Sequence, residues 1–196
     1  MLARENPFRV ERLHALRFRY PPGDDHEALL ARVMEHGGRG AIVGPHGSGK
    51  TTLMLELAEH LRADGRRVRE LRIGVEQHRL SEVERRTLCD ALGPRDAFLF
   101  DGAGHLTPWS WWCLRRALRA AGLVIVTAHR AGRLPTVLRT AGSPDLLCEL
   151  VAELDPTIGV AKVREVCREA RSDLRQALRS LYESARLSRP APDPAH

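Results

Sequence analysis

Lysine is almost missing from this chain of 196 residues: it occurs at Lys50 and Lys162, and the other members of its 31 basic residues are arginine. The four cysteines, Cys89, Cys113, Cys148 and Cys167, form no C-x-x-C pair, and no histidine stands at metal-ligand spacing from them. This argues against a zinc site and against a disulfide framework, and the expectation is free thiols in a reducing compartment. Aromatic residues make up 5% of the chain, so the three tryptophans gathered at Trp109, Trp111 and Trp112 stand out. No apolar run approaches the roughly 20 residues of a membrane helix; the longest lies around Leu123 to Val126. Met1 to Val10 carries charges and a proline but no apolar segment of the signal-peptide kind. The expectation is a soluble, cytoplasmic chain with no membrane contact. Internal repeats and low-complexity tracts are also missing.

What is present suits a packed globular fold. Hydrophobic residues make up 43%, ordinary for a soluble protein, and the length supports one domain with a smaller appendage. The 31 basic residues against 25 acidic ones give a formal +6. Such a balance permits DNA as a partner without demanding it. Because the bases are spread along the chain, an ordinary solvated surface is the favoured reading.

The periodicity predicts strands alternating with helices. A helix starts near Asp24 or Asp25 and stops at Gly37-Gly38. A buried strand, Gly40 to Val43, leads into a glycine-rich loop, followed by a helix over 50–63 that Gly65 closes. Arg67 to Ile73 alternates as a strand, 81–91 reads as a helix, and Ala97 to Phe100 is a second buried strand ending in Asp101. Thr107-Pro108 opens a helix, and Leu123 to Thr127 is a third buried strand. Beyond Arg133 only a short edge strand near Val137 is expected, then helices at about 144–154, 159–170 and 173–187. Alternation of this kind predicts an α/β fold with a three-layer parallel sheet. The expected organisation is an N-terminal segment, 1–22, packing near the ligand site; a core over 23–140; a small all-helical lid over 141–187; and a disordered tail over 188–196.

Gly44-Pro45-His46-Gly47-Ser48-Gly49-Lys50-Thr51 fits G-x-x-x-x-G-K-[ST], with Thr52 following. Glycines let backbone N–H groups wrap closely around phosphate, and the helix opening at Lys50 adds its positive end. The lysine ammonium suits the β and γ phosphates, and the Thr51 hydroxyl suits magnesium. His46 fills a variable position and is given no chemistry. The motif follows a buried strand and opens a helix, as its mechanism requires, so the expected ligand is a nucleoside triphosphate with Mg2+, ATP above others. Asp101, ending an apolar strand downstream, suits the magnesium shell. In nucleotide-hydrolysing folds with an extra strand between the loop strand and the Asp strand, a polar residue ending that strand helps place water. Thr127 is the candidate, with His129 second.

These features resemble the AAA+ class of P-loop ATPases, over residues 25 to 187, with Asp101 in the place of its Walker B aspartate. Ser172-Asp173-Leu174-Arg175-Gln176-Ala177-Leu178 is similar to the G-D-L-R-x-A-L stretch that opens a lid helix in clamp-loader-type members. The resemblance implies a P-loop NTPase core with a helical lid, ATP between them, and Arg175 as the sensor-2 arginine reaching the γ-phosphate. A guanidinium gives directional hydrogen bonds to phosphate oxygens. It also implies a protein partner driven or gated by the nucleotide, and a homo-oligomer if an arginine is donated in trans. Arg130, Arg133 and Arg139 lie in the region for such a finger, without a choice among them.

Three departures stand against the family pattern. The glutamate that usually follows the Walker B aspartate is Gly102 here, so hydrolysis is expected to be slow, or water placed by Asp101, His105 or a partner. Position 172 is Ser instead of Gly, and the lid is short. The leading reading is an ATPase of this class. A nucleotide-dependent switch or loader with little hydrolysis, and a small-molecule phosphotransferase on the same core, are the alternatives. Trp111, Leu114 and Leu118 share a helical face, so core packing is favoured for the tryptophan group, with one ring at a partner interface. A stacking surface for single-stranded nucleic acid is the alternative. Phe8, Phe18 and Tyr20 either border the adenine or pack their own segment.

Overall fold

The computed structural model describes residues 6–8, 12–13 and 16–187. The tail from Ser188 to His196, expected to be disordered, lies outside them, as does Val10. The chain divides into two compact units. The first comprises Tyr20–Gly44 and Lys50–Thr140; the second comprises the described residues before Tyr20, the loop tip Pro45–Gly49, and the described residues from Ala141 to Leu187. No helix of the described residues is long and apolar enough to cross a membrane.

The first unit is α/β. Its elements are α1 (His26–Glu35), β1 (Arg39–Val43), α2 (Lys50–Ala63), β2 (Val68–Arg72), α3 (Glu82–Cys89), β3 (Ala97–Asp101), α4 (Pro108–Ala117), β4 (Leu123–Ala128) and β5 (Thr136–Arg139). Local signals start the helices. Asp25 accepts a bond from Ala28 N at 2.7 Å, Ser81 and Glu84 form a capping box, and Thr107 caps α4 ahead of Pro108. The five strands are all parallel, in the order β2-β3-β4-β1-β5. β4 therefore lies between β1 and β3, as the extra strand expected from the sequence.

Side-chain alternation builds a layer on each face of this sheet. Ala41, Val43, Phe98, Phe100, Val124 and Val126 form one cluster with Trp111, Leu114 and Leu118 of α4 and its continuation. Residues of the other parity, Ile42, Leu99 and Ile125, are just as buried. On that face α1 comes so near that a Cβ on Gly40 would stand 2.8 Å from a Val33 methyl. β1, β3 and β4 are buried on both sides, which is why they read as unbroken apolar runs.

Several boundaries differ from the sequence reading; the helix opened by Thr107-Pro108, expected to run to about Ala121, ends at Ala117 and continues as a 3-10 turn over Leu118–Ala120. The helix expected over 81–91 ends at Cys89, because Asp90 turns to extended backbone with ψ 134 and Ala91 follows with φ +50. The strand expected over Arg67 to Ile73 is Val68–Arg72. Arg67 is drawn into an ion pair with Asp96, a carboxylate that also accepts from Gly93 N at 2.7 Å. Those contacts, the Arg67 hydrogen bond first, hold the Asp96 carboxyl below the usual carboxylate range.

The second unit is helical: α5 (Pro144–Leu154), α6 (Val160–Glu169) and α7 (Leu174–Leu187). Ser143 caps α5 by accepting from Leu146 N at 3.0 Å. Leu147, Leu150, Val151, Val163, Val166, Ala177, Leu178 and Leu181 meet in one core, which Phe8 and Leu16 complete. Asn6 ties the N-terminal segment to α7 by donating to Tyr182 O at 3.0 Å while its Oδ1 accepts from Phe8 N at 2.9 Å. Phe8 therefore belongs to this core and follows the simple-packing alternative. Its ring, 1% exposed, has no surface left to offer a base.

Candidate phosphate-binding site

β1 delivers the chain to the loop, and Gly44 N donates to Ala128 O at 3.1 Å, fixing the loop's start to the end of β4. Gly47 and Gly49 have φ of +67 and +84. Both are left-handed conformations that side chains disfavour, so glycine suits both places, Gly49 as a fixed glycine of the motif and Gly47 at one of its variable positions. Space adds a second reason at Gly47: a Cβ there would lie 1.9 Å from Asp173 Oδ1 and 3.1 Å from Arg175 N. The first turn of α7 thus packs directly on the loop tip, inside one unit. Phe18 does the same at Gly49, its ring 3.2 Å from where a Cβ would stand. Ser48, almost fully buried, closes the tip by donating to Pro45 O at 2.9 Å. Pro45 and His46 are exposed.

Lys50 is 8% exposed, and its Nζ donates to Gly44 O at 2.8 Å. Two residues on either side of the loop tip are thereby joined, and the ammonium is held at the loop instead of extending into solvent. Next to it in sequence, Thr51 Oγ1 donates to Asp101 Oδ2 at 2.8 Å across fifty residues of chain. Thr127, 1% exposed, donates to the other carboxylate oxygen, Asp101 Oδ1, at 2.6 Å. The Thr127 oxygen in turn accepts from Gly102 N at 2.9 Å. Each oxygen of Asp101 is thus aimed by a hydroxyl, one from α2 and one from β4. Thr52 follows on α2, partly buried.

The structure brings Thr51, Asp101 and Thr127 into one network and Lys50 into contact with Gly44. His129, second to Thr127 in the sequence reading, sits elsewhere: its Nδ1 lies 3.3 Å from Gly44 O and its ring packs edge-on to His105, centroids 5.6 Å apart. Thr127 is the residue that touches Asp101. Arg175 is exposed; its backbone is at Gly47, and its guanidinium has no ion pair among the described residues. Of the three finger candidates, Arg133 is engaged within its own unit, over the Trp111 ring at 5.7 Å and against Leu106 O. Arg130 and Arg139 are exposed.

One site residue has no sequence motif. Arg72, in register with Asp101 on the neighbouring strand, donates from Nε to Asp101 Oδ2 at 3.2 Å. Only the pairing of β2 with β3 could have revealed it. Gly102 has a structural reason for its identity. Its φ is +101, and a Cβ there would stand 2.4 Å from Ile73 O.

The core packing expected for the tryptophan group holds for one ring of the three. Trp111 is core, 7% exposed, but Trp109 and Trp112 are 71% and 48% exposed and stack on each other instead of on the core. Helical geometry separates them, since 111, 114 and 118 share the inward face and 109 and 112 fall on the other.

The donors at Asp101 are hard oxygens, the kind magnesium takes. Among the described residues no group of three or more His, Cys, Asp or Glu could hold a metal alone. Magnesium binds through one or two protein oxygens together with substrate phosphates and water. Within the α/β unit, the anchored Lys50 and the Thr51–Asp101 pair suit phosphate oxygens and a magnesium ion. No protein-family model matches this sequence, and no curated protein matches it.

Proposed function

We propose that the chain binds ATP with Mg2+ at the loop Gly44–Thr51 and acts as an AAA+-like P-loop ATPase that gates a macromolecular partner. The observation that carries this reading is the Thr51–Asp101 contact at 2.8 Å, since a loop hydroxyl and a distant strand-end carboxylate meet where a phosphate-bound cation would need both. The strand order supports it, because β4 separates β1 from β3 and presents Thr127 to Asp101.

In this reading, backbone N–H groups of residues 45–49 and the start of α2 receive the phosphates, and Lys50 balances their charge. Thr51 and Asp101 hold the metal, which supplies charge neutralisation at the phosphate oxygens. Thr127 fixes the carboxylate and helps orient water. Arg175 is the sensor of the terminal phosphate.

A specific observation favours the slower variant of this function, a nucleotide-dependent switch with little hydrolysis of its own. Gly102 occupies the position of the family's water-activating glutamate in a conformation that strains any side chain. Calorimetric titration with ATP, with and without Mg2+, tests the reading. Asp101→Asn should bind ATP with a much smaller gain from magnesium than the wild type. An unchanged magnesium dependence would remove Asp101 from the site and the carrying observation with it.

A further inference from the structure

The outward face of α4 and of the 3-10 turn that continues it, Leu118–Ala120, has chemistry that the nucleotide reading does not use. Trp109, Trp112, Arg116 and Arg119 follow one another at helical intervals of three and four, and Arg115 lies beside them. All five are exposed. The two indoles stack nearly parallel, with centroids 5.1 Å apart and planes 18° from one another. Leaving two indoles in water forgoes a large hydrophobic gain, and Trp111, Leu114 and Leu118 show that the same helix buries its other face fully. The exposed pair is therefore a feature of its own and not a packing remainder.

The charge around it is of one sign. From Pro108 to Ala120 the chain has no acidic residue. Arg115, Arg116 and Arg119 form no ion pair among the described residues. Beside the indoles is a groove of about 680 Å³ lined by Arg79, Leu80, Arg85, Trp109 and Cys113, among others. Its acid, Glu82, is paired with Arg86 at 2.5 Å, and nearby Glu84 accepts from Ser81 N at 2.8 Å in the capping box. Arginines thus stand on both sides of an aromatic platform.

We propose that this face binds single-stranded nucleic acid, with a base continuing the Trp109–Trp112 stack and the arginines on α4 and at the groove taking the flanking phosphates. Face-on stacking is how an unpaired base meets an aromatic side chain, and it tolerates any base because each has a π face. A duplex hides its base faces, so single strands are the ligand. Arginine rows without intervening acids match a phosphate chain, whose charges recur at every nucleotide. An acidic protein segment would meet the arginines but has no use for a parallel indole pair. The site is independent of the nucleotide reading, so it is tested without ATP.

The experiment is fluorescence anisotropy of a labelled oligothymidine of about 16 nucleotides, with tryptophan emission followed in parallel. At about 50 mM salt the full chain should bind with a dissociation constant of about 1–100 µM, weakening steeply by about 200 mM. Emission should be quenched as a base stacks on the Trp109–Trp112 pair. Trp109→Ala should weaken binding about tenfold, and Trp109→Tyr, which keeps an aromatic face, should retain most of it. Replacing Arg115, Arg116 and Arg119 together by glutamate should abolish it. Because Trp109 is 71% exposed, its loss leaves the core intact, and unchanged circular dichroism verifies this. Binding that ignores Trp109→Ala, or no binding at low salt, overturns the proposal. Equal or tighter binding of poly-glutamate that ignores Trp109→Ala overturns it in favour of an acidic protein partner.

Discussion

Restoring the family's acid by Gly102→Glu should damage the protein without speeding it. Gly102 holds φ +101, and a side chain in such a sparsely populated region costs about 1–3 kcal/mol. A new Cβ would also stand 2.4 Å from the Ile73 carbonyl, a backbone atom that cannot swing aside, and overpacking of that kind costs about 1–3 kcal/mol. The sum, about 2–6 kcal/mol, is a large part of the roughly 5–15 kcal/mol that holds an ordinary domain together. Any backbone shift that relieves the overlap also pulls Gly102 N from Thr127 Oγ1, the contact behind the Thr127–Asp101 bond. Urea unfolding is a suitable assay, because all three tryptophans lie on α4 and report the α/β unit. At a slope of about 2 kcal/mol/M the midpoint should fall by about 1–3 M. Gly102→Ala should lose nearly as much, since the Cβ is the cause. A Gly102→Glu protein as stable as the wild type, with faster ATP turnover, would refute this reasoning.

Two further outcomes follow from single contacts. Arg72→Ala should tighten Mg2+ binding in the presence of ATP, because Arg72 competes for Asp101 Oδ2. Its side chain is 62% exposed, and exposed pairs are worth about 0.2–1 kcal/mol, so a magnesium titration should show a gain of at most about fivefold. Weaker binding would instead make Arg72 a contributor to the site. Ser172→Gly should raise the thermal midpoint by the equivalent of about 0.5–1 kcal/mol, since a left-handed conformation is costly for any residue with a Cβ. Ser172 has φ +63, and a lower midpoint would mean that its hydroxyl matters more than its backbone.

The strands and their order of use were legible because their chemistry is local. β1, β3 and β4 are apolar runs set between turn signals, and Asp25, Ser143 and Thr107-Pro108 mark helix starts by capping. The candidate residues were legible for the same reason: Lys50, Thr51 and Asp101 sit at fixed offsets from a glycine loop and a strand end. What escaped was set by contacts between distant segments. Arg72 became visible only through the register of β2 on β3. The stacking of Trp109 on Trp112 depends on which face of α4 the sheet covers. Grouping of the loop tip with α7 rests on Asp173 and Arg175 meeting Gly47, a contact over a hundred residues apart. Gly102 was read as a missing acid, and its reason, the Ile73 carbonyl beneath it, is again tertiary.

The central claim is that the loop from Gly44 to Thr51 holds a nucleoside triphosphate, and Lys50→Ala tests it most directly. The Lys50 ammonium would exchange its 2.8 Å bond to Gly44 O for charge-assisted bonds to phosphate, each worth about 1.5–3 kcal/mol. Equilibrium titration of the folded variant with Mg-ATP should show affinity weakened by about tenfold to a hundredfold or more. Wild-type affinity in that variant would contradict the account.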